Sequence, residues 1–209
     1  MDIYEIFYSI QGEGRETGYP TVFIRTSGCN LRCSYCDTPE AYERGSSMSI
    51  EDILREVKKF PCDRVCVTGG EPLLQKETME LLSALIDNGY SVSIETNGSL
   101  SIKPLLDFES LLISLDIKCP SSRMHDKMDM NNLRYLSEKD QLKFVISDRV
   151  DYEYAKNIIV ENSVPCPVFF QPVWSSNPGR LADWILRDGL SIRLGLQIHK
   201  VIWGEEKGR

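Results

Sequence analysis

The chain reads as an α/β protein, a partial, open β/α barrel of about six parallel strands, reduced relative to a full eight-stranded barrel. Three observations predict it. Short apolar runs alternate with amphipathic helical stretches, the pattern of a mainly parallel sheet. Only six or seven such runs fit into 209 residues, too few to close a barrel of eight. Glycines and polar residues follow several of the runs, at the strand ends where α/β sheets carry their chemistry. The length suits one domain spanning 1–209, with an irregular excursion at about 119–140. No internal repeat, low-complexity tract or linker interrupts it.

Composition narrows the class. The chain is 42% hydrophobic and 26% charged, ordinary for a globular protein. A net charge of −7 argues against nucleic acid as a partner, which would call for a basic face. No apolar run reaches membrane-spanning length and Met1–Glu5 lacks a signal-peptide pattern, so a cytoplasmic protein without a membrane partner is expected. There are seven cysteines, which in a reducing compartment stay thiols.

Taken in order, Tyr4–Ile10 reads as an extended N-terminal segment, running into Gln11-Gly12-Glu13-Gly14, where two glycines allow a tight turn around a small ligand or a plain turn with one solvated Glu. Thr21–Thr26 is a strand. Its internal Arg25 is either a solvated position or an anion clamp, since Arg suits bidentate carboxylate binding. Ser49 caps a helix over 50–60, with Ile50, Ile53, Leu54 and Val57 on one face. Arg64–Thr68 is the next strand and ends in Gly69-Gly70-Glu71-Pro72. There two glycines permit close backbone approach to a ligand, Glu71 stands at a strand end, and Pro72 opens a helix over 73–88 with Gly89 at its C-terminus.

Ser91–Glu95 is a strand closed by Thr96-Asn97-Gly98. Leu111–Lys118 is another, with Ser114 and Asp116 on one face by the two-residue period. The methionines of the excursion, Met124, Met128 and Met130, either cover a pocket or fill gaps, and a short helix is expected at 132–136. Gln141–Ile146 and Val168–Trp174 are strands, separated by a helix marked by Ala155, Ile158 and Ile159. A helix over 178–188, capped by Gly189, precedes a last strand, Arg193–Ile198, which delivers His199 as a substrate ligand or a surface residue.

The most informative stretch is Cys29-Asn30-Leu31-Arg32-Cys33-Ser34-Tyr35-Cys36-Asp37-Thr38. Three thiolates in one loop make a soft, negative pocket suited to Zn²⁺ or an iron–sulfur cluster. Structural zinc wants a fourth ligand, for which Cys62, Cys66, Cys119 and Cys166 are the candidates. Three thiolates on a cubane instead leave one iron open to a small molecule. Disulfides suit a secreted chain and even, dispersed cysteines.

This C-x3-C-x2-C motif, with Tyr35 just before its last cysteine, resembles the radical S-adenosylmethionine (SAM) superfamily. The resemblance implies a [4Fe–4S] cluster on Cys29, Cys33 and Cys36, whose open iron chelates SAM and passes it one electron to yield a 5′-deoxyadenosyl radical. It further implies SAM contacts from Tyr35, Asp37, Gly70, Glu95, Ser114, Asp116 and Gln171. The combination of Gln11-Gly12-Glu13-Gly14, Phe23-Ile24-Arg25, Cys36-Asp37-Thr38 and Gln197-Ile198-His199-Lys200 is similar to the 7-carboxy-7-deazaguanine synthase family over nearly the whole chain. That family resemblance implies a Mg²⁺-dependent ring contraction of 6-carboxy-5,6,7,8-tetrahydropterin with release of ammonia, for queuosine or archaeosine. A substrate-binding segment 1–20 contributes Ile10, Gln11, Gly12 and Glu13. Arg25, Thr68 and His199 complete the substrate site, and Thr38 is the Mg²⁺ ligand. Also implied are a flavodoxin- or ferredoxin-type electron donor, a homodimer, and a tail, 203–209, whose terminal carboxylate touches substrate. The rival readings are a glycyl-radical activating enzyme and a non-enzymatic Zn-binding module.

Overall fold

The computed structural model describes residues 1–42, 45–206 and 208. Its frame is one nine-stranded sheet: β1 (Asp2–Ile10), β2 (Pro20–Thr26), β3 (Ser46–Ser47), β4 (Arg64–Gly69), β5 (Ser91–Thr96), β6 (Leu112–Ile117), β7 (Gln141–Ile146), β8 (Val168–Pro172) and β9 (Arg193–Leu194). The helices are α1 (Ile50–Val57), α2 (Thr78–Asp87), α3 (Arg149–Glu161), α4 (Pro178–Asp188) and α5 (Ile198–Trp203). Strand order is β3-β1-β2-β4-β5-β6-β7-β8-β9. From β2 onward every pairing is parallel and in sequence order, while β1 is antiparallel to both β2 and β3. β3 and β9 stand at opposite edges, so the sheet is open.

Alternation along the strands sorts residues between two faces. Val22, Ile24, Val67, Ile94, Ile113, Leu115, Leu142, Phe144 and Phe170 are fully buried in one core with Ile53 and Val57 of α1, Leu81, Leu82 and Leu85 of α2, Tyr152 and Ala155 of α3, and Leu181 of α4. Many of the intervening positions are polar and face the other way. Register sets Arg25 beside Thr68, Glu95 beside Ser114, Asp116 beside Lys143, and Val145 beside Gln171. A closed eight-stranded barrel fills its lumen with branched apolar side chains; this one lines it with charge.

Several elements differ from the sequence expectation. The N-terminal segment is a nine-residue strand, because its residues pair with β2 from Ile3 to Ile10. Ser49 caps α1 by accepting from Asp52 N, but the helix ends at Val57, short of residue 60. The helix expected over 73–88 is a 3-10 turn, Pro72–Leu74, followed by α2 from Thr78, since the Glu71 carboxylate caps Leu73 N and Thr78 Oγ1 donates back to Pro72 O. The excursion carries three 3-10 turns, including Met130–Tyr135, and Met128 packs on the core. The last strand shrinks to Arg193–Leu194, and His199 stands on α5 rather than at a strand end. No helix among the described residues is long and apolar enough to cross a membrane.

Candidate active site

The concave face holds a cleft of about 610 Å³. It is lined by Cys29, Cys33, Cys36, Tyr35, Asp37, Thr38, Gly70, Glu95, Ser114, Asp116 and Gln171, the cluster, SAM and Mg²⁺ positions expected from the resemblance, and, on the substrate side, by Ile10, Gln11, Gly12, Glu13, Arg25, Thr68 and His199.

The cysteine loop leaves the end of β2 and is held by its neighbours. Thr26 O accepts from Gly70 N at 3.0 Å and Gly28 O from Glu71 N at 2.9 Å, so the two strand-end loops cross backbone to backbone. A Cβ at Gly70 would overlap the Gly28 carbonyl, which explains the glycine. With its N–H engaged by Thr26, Gly70 has a carbonyl to offer a ligand, which suits an ammonium. On the other side Ser34 N donates to Ser122 O and Ser34 Oγ to Ser121 O, so the start of the excursion buttresses the loop. Of the excursion's methionines none lines the cleft: Met128 packs on the core and Met130 is exposed.

Glu71 is not a reactive group at a strand end. It is completely buried, and its oxygens accept from Thr96 Oγ1 (2.8 Å), Asn97 N (2.7 Å) and Leu73 N (3.1 Å). Burial raises its pKa despite those donors. It ties the loop after β4 to the loop after β5.

The Gln11–Gly14 loop crosses beneath the lumen to β7. Arg15 N donates to Gln141 Oε1 (2.8 Å), and Arg15 Nη1 donates to the carbonyls of Glu138, Lys139 and Asp140. From this floor Glu13 rises to Lys143: Oε2 to Nζ is 2.7 Å. Burial pushes the Glu13 carboxyl up, but Lys143 and a hydrogen bond from Gln197 outweigh it and hold it at about 2. Lys143 also lies 3.8 Å from Asp116, which Lys118 Nζ pairs at 2.7 Å. Glu95 accepts from Thr68 Oγ1 at 3.1 Å, and burial raises its pKa. Arg25 Nε meets Glu5 at 2.8 Å, so this side chain is steered by an ion pair within the β1–β2 ladder.

The lumen is closed by α5 and the turn before it. Ile198 N donates to Gly12 O at 3.1 Å, and the ring of His199 lies where a Cβ on Gly12 would be. Burial lowers the His199 pKa, favouring the neutral ring. Gln197 Nε2 donates to Glu13 Oε1 (2.7 Å) and Asp37 Oδ2 (3.4 Å), and Lys200 Nζ to Asp37 Oδ2 (3.1 Å). Burial works against the Asp37 charge, but Lys200 prevails and lowers its pKa. The tail's terminal carboxylate, at Arg209, lies outside the described residues.

Sequence reasoning missed Lys143, Asn97 and Gln197. A lysine within an apolar strand, on the same face as Gln141 and Val145, was the available signal for Lys143. Asn97 and Gln197 stand within the Thr96-Asn97-Gly98 turn and the Gln197-Ile198-His199-Lys200 motif, neither of which assigns them a role of their own.

The donor set fits a cluster with an open iron. All seven cysteines are free, and Cys62, Cys66, Cys119 and Cys166 do not line the cleft, which leaves the zinc reading without its fourth thiolate. Burial pushes the Cys33 thiol up; Lys118 opposes, and Asp116, Cys36 and Cys29 push the same way as burial. Three thiolates held here therefore call for positive charge between them. Beside them, Tyr35 Oη, Asp116 Oδ1 and Gln171 Oε1 are buried in the cleft without a hydrogen-bond partner among the described residues. Buried polar atoms are rarely left so, and these suit a polar ligand such as a nucleoside. Thr38 Oγ1, 3.2 Å from Asp37 Oδ1, offers a hard oxygen suited to Mg²⁺.

Comparison with known proteins agrees with this donor set. Residues 23–137 match the radical SAM superfamily. A 7-carboxy-7-deazaguanine synthase of Thermoplasma acidophilum is 40% identical over 208 residues, covering 100% of both chains. One from Methanospirillum hungatei is 43% identical over 204 residues, covering 97% of this chain and 85% of the relative. Among solved structures, QueE from Escherichia coli superposes with a TM-score of 0.76 at 25% identity, over 94% of this chain and 93% of that one. SuiB of Streptococcus suis bound to S-adenosylmethionine gives 0.59 at 16% identity, over 80% and 48%, a likeness of fold.

Proposed function

The chain belongs to the 7-carboxy-7-deazaguanine synthase family of the radical SAM superfamily, and from that premise we propose that it contracts 6-carboxy-5,6,7,8-tetrahydropterin to 7-carboxy-7-deazaguanine with release of ammonia, on the way to a 7-deazapurine tRNA base. When bound, the [4Fe–4S] cluster and SAM supply one-electron chemistry and hydrogen-atom abstraction at the substrate carbon bearing the carboxylate. The chain's residues bind, orient and shield. Cys29, Cys33 and Cys36 hold the cluster. The Tyr35–Asp37 backbone holds adenine, the Gly70 carbonyl the amino group and Glu95 the ribose, with Ser114, Asp116 and Gln171 completing that site.

On the substrate side, Arg25 clamps the carboxylate bidentately. Glu13 stays ionised far below neutral pH, so it accepts from the guanidine-like edge of the pterin. The backbone at Ile10, Gln11 and Gly12, together with Thr68, pairs the remaining polar edge. The neutral His199 ring, set by Gly12, lies along the substrate. Thr38 holds Mg²⁺, which orients substrate oxygens. A low-potential flavodoxin- or ferredoxin-type donor and a homodimer complete the proposal.

One observation carries this reading: the Gln11–Gly14 loop and the three cysteines share one charged lumen. The test is anaerobic reconstitution, dithionite reduction, and incubation with SAM and the carboxy-tetrahydropterin. The deazapurine chromophore and ammonia are expected; SAM cleavage without either product would overturn it. In the same assay Arg25→Ala is expected to lose pterin turnover about 100-fold, as befits a lost charge-assisted pair, with SAM cleavage intact. Near-wild-type turnover would favour an activating enzyme acting on a protein.

A further inference from the structure

The amide of Asn97 is aimed at the sulfur of Cys29. Nδ2 donates to Cys29 Sγ at 3.7 Å and to Asn30 Oδ1 at 3.1 Å. The orientation of the amide is decided by chemistry rather than by choice of label. Ser99 N, which only donates, lies 3.0 Å from Asn97 Oδ1, and Ser99 Oγ donates to the same oxygen at 2.6 Å. The oxygen therefore faces Ser99 and the NH₂ faces the cysteine loop. Below it, Asn97 N donates to the buried Glu71 carboxylate, and on the far side Asn30 Nδ2 donates to Ser99 Oγ at 2.8 Å. Asn97 is 7% exposed, so water does not compete for the bond.

A second N–H, that of Leu31, donates to the same sulfur at 3.4 Å. The amide donors thus converge on Cys29, from its own loop and from the loop after β5.

We propose that Asn97 is a positioning residue that tunes the reduction potential of the cluster through Cys29. The inference rests on the reading that Cys29, Cys33 and Cys36 ligate a [4Fe–4S] cluster. Hydrogen bonds to ligand sulfurs withdraw electron density and favour the reduced, more negative cluster, raising its potential. A side-chain donor on a separate loop does this without altering the ligand set. It also links the potential to the strand-end loops, because Glu71 fixes the backbone of Asn97.

The test is a redox titration, followed by electron paramagnetic resonance, of anaerobically reconstituted wild type, Asn97→Ala and the near-isosteric Asn97→Asp, without SAM. Asn97→Ala is expected to need a more reducing poise, with a tenfold fall in the reduced-to-oxidised ratio at fixed potential, about 59 mV for one electron. Asn97→Asp, which replaces a donor by a charge, is expected to fall further. Equal potentials in loaded wild type and Asn97→Ala overturn the proposal, as does loss of the cluster from both variants, which makes Asn97 a structural residue only. If Asn97→Ala alone fails to load, Asn97→Asp decides in the same way. Iron analysis separates these results from failure of the underlying reading, in which wild type itself takes up no cluster.

Discussion

Lys143 Nζ lies 2.7 Å from Glu13 Oε2, joining the middle of β7 to the loop after β1 across 130 residues of sequence. The lysine side chain is 9% exposed and the glutamate 14%. Breaking such a pair from one side strands a buried charge, at a cost of about 3–5 kcal/mol. Lys143→Met is therefore expected to destabilise by roughly 3 kcal/mol, whereas Lys143→Met with Glu13→Gln recovers much of the loss. Urea denaturation of the four proteins closes the cycle, and additive effects would show no coupling.

Acid should reveal the same pair. The Glu13 carboxyl is held at about 2 in the folded protein against an ordinary value of 4.5. A depressed folded-state pKa contributes stability that is full above the unfolded value and lost as pH falls through the folded one. Wild type is expected to lose stability between pH 4.5 and about 2, and Glu13→Gln to show a shallower slope there. Melting temperature followed against pH in both proteins measures the difference.

Two glycines separate the halves of the site. Gly70→Ala pushes the loop after β4 off the Gly28 carbonyl, so cluster uptake is expected to fall, as read by iron content. Gly12→Ala displaces the His199 ring. Iron content is then expected to stay at the wild-type level while KM for the pterin rises about tenfold or more. Steady-state kinetics with matched cluster loading tells the two apart.

Glu71→Ala removes the acceptor of three donors in a fully buried site. Each orphaned donor costs about 1–3 kcal/mol, so a loss of at least ~3 kcal/mol is expected. Glu71→Gln, which keeps the shape, is expected to lose less. Thermal melts rank the three proteins, and an unperturbed Glu71→Ala would refute the bracing role.

Much of this was legible because local chemistry and fold agreed. Strands β2, β4, β5, β6, β7 and β8 announce themselves as apolar runs, and α4 shows both its Asn177–Pro178 start and its Gly189 stop, the latter with φ of 61°. The cysteines, the paired glycines after β4 and the Ser114–Asp116 alternation all fall in the cleft. What stayed hidden depends on distant partners. Residues 195–198 look strand-like, yet after Gly195, whose N–H still goes to Phe170 O of β8, the chain leaves the sheet and Ile198 N bonds Gly12 O instead of a ladder neighbour. Glu71 looks catalytic until Thr96 and Asn97 are seen to surround it. The Gln11–Gly14 motif stands out in the sequence, but its place as the floor of the lumen does not, because its partners at Gln141 and Lys143 lie far along the chain.

The join between α5 and the loop after β1 has a mechanical consequence. It consists of one backbone bond, Ile198 to Gly12, and the side-chain bond of Gln197 to Glu13, while Lys200 reaches past it to Asp37 of the cysteine loop. A zipped seam of strands parts only when successive rungs break in turn, whereas this clasp releases when one backbone bond breaks and two side chains swing. Entry for a flat, rigid ring is thereby separated from the integrity of the scaffold: the molecule can gape at one corner while the sheet that carries its cysteines stays taut.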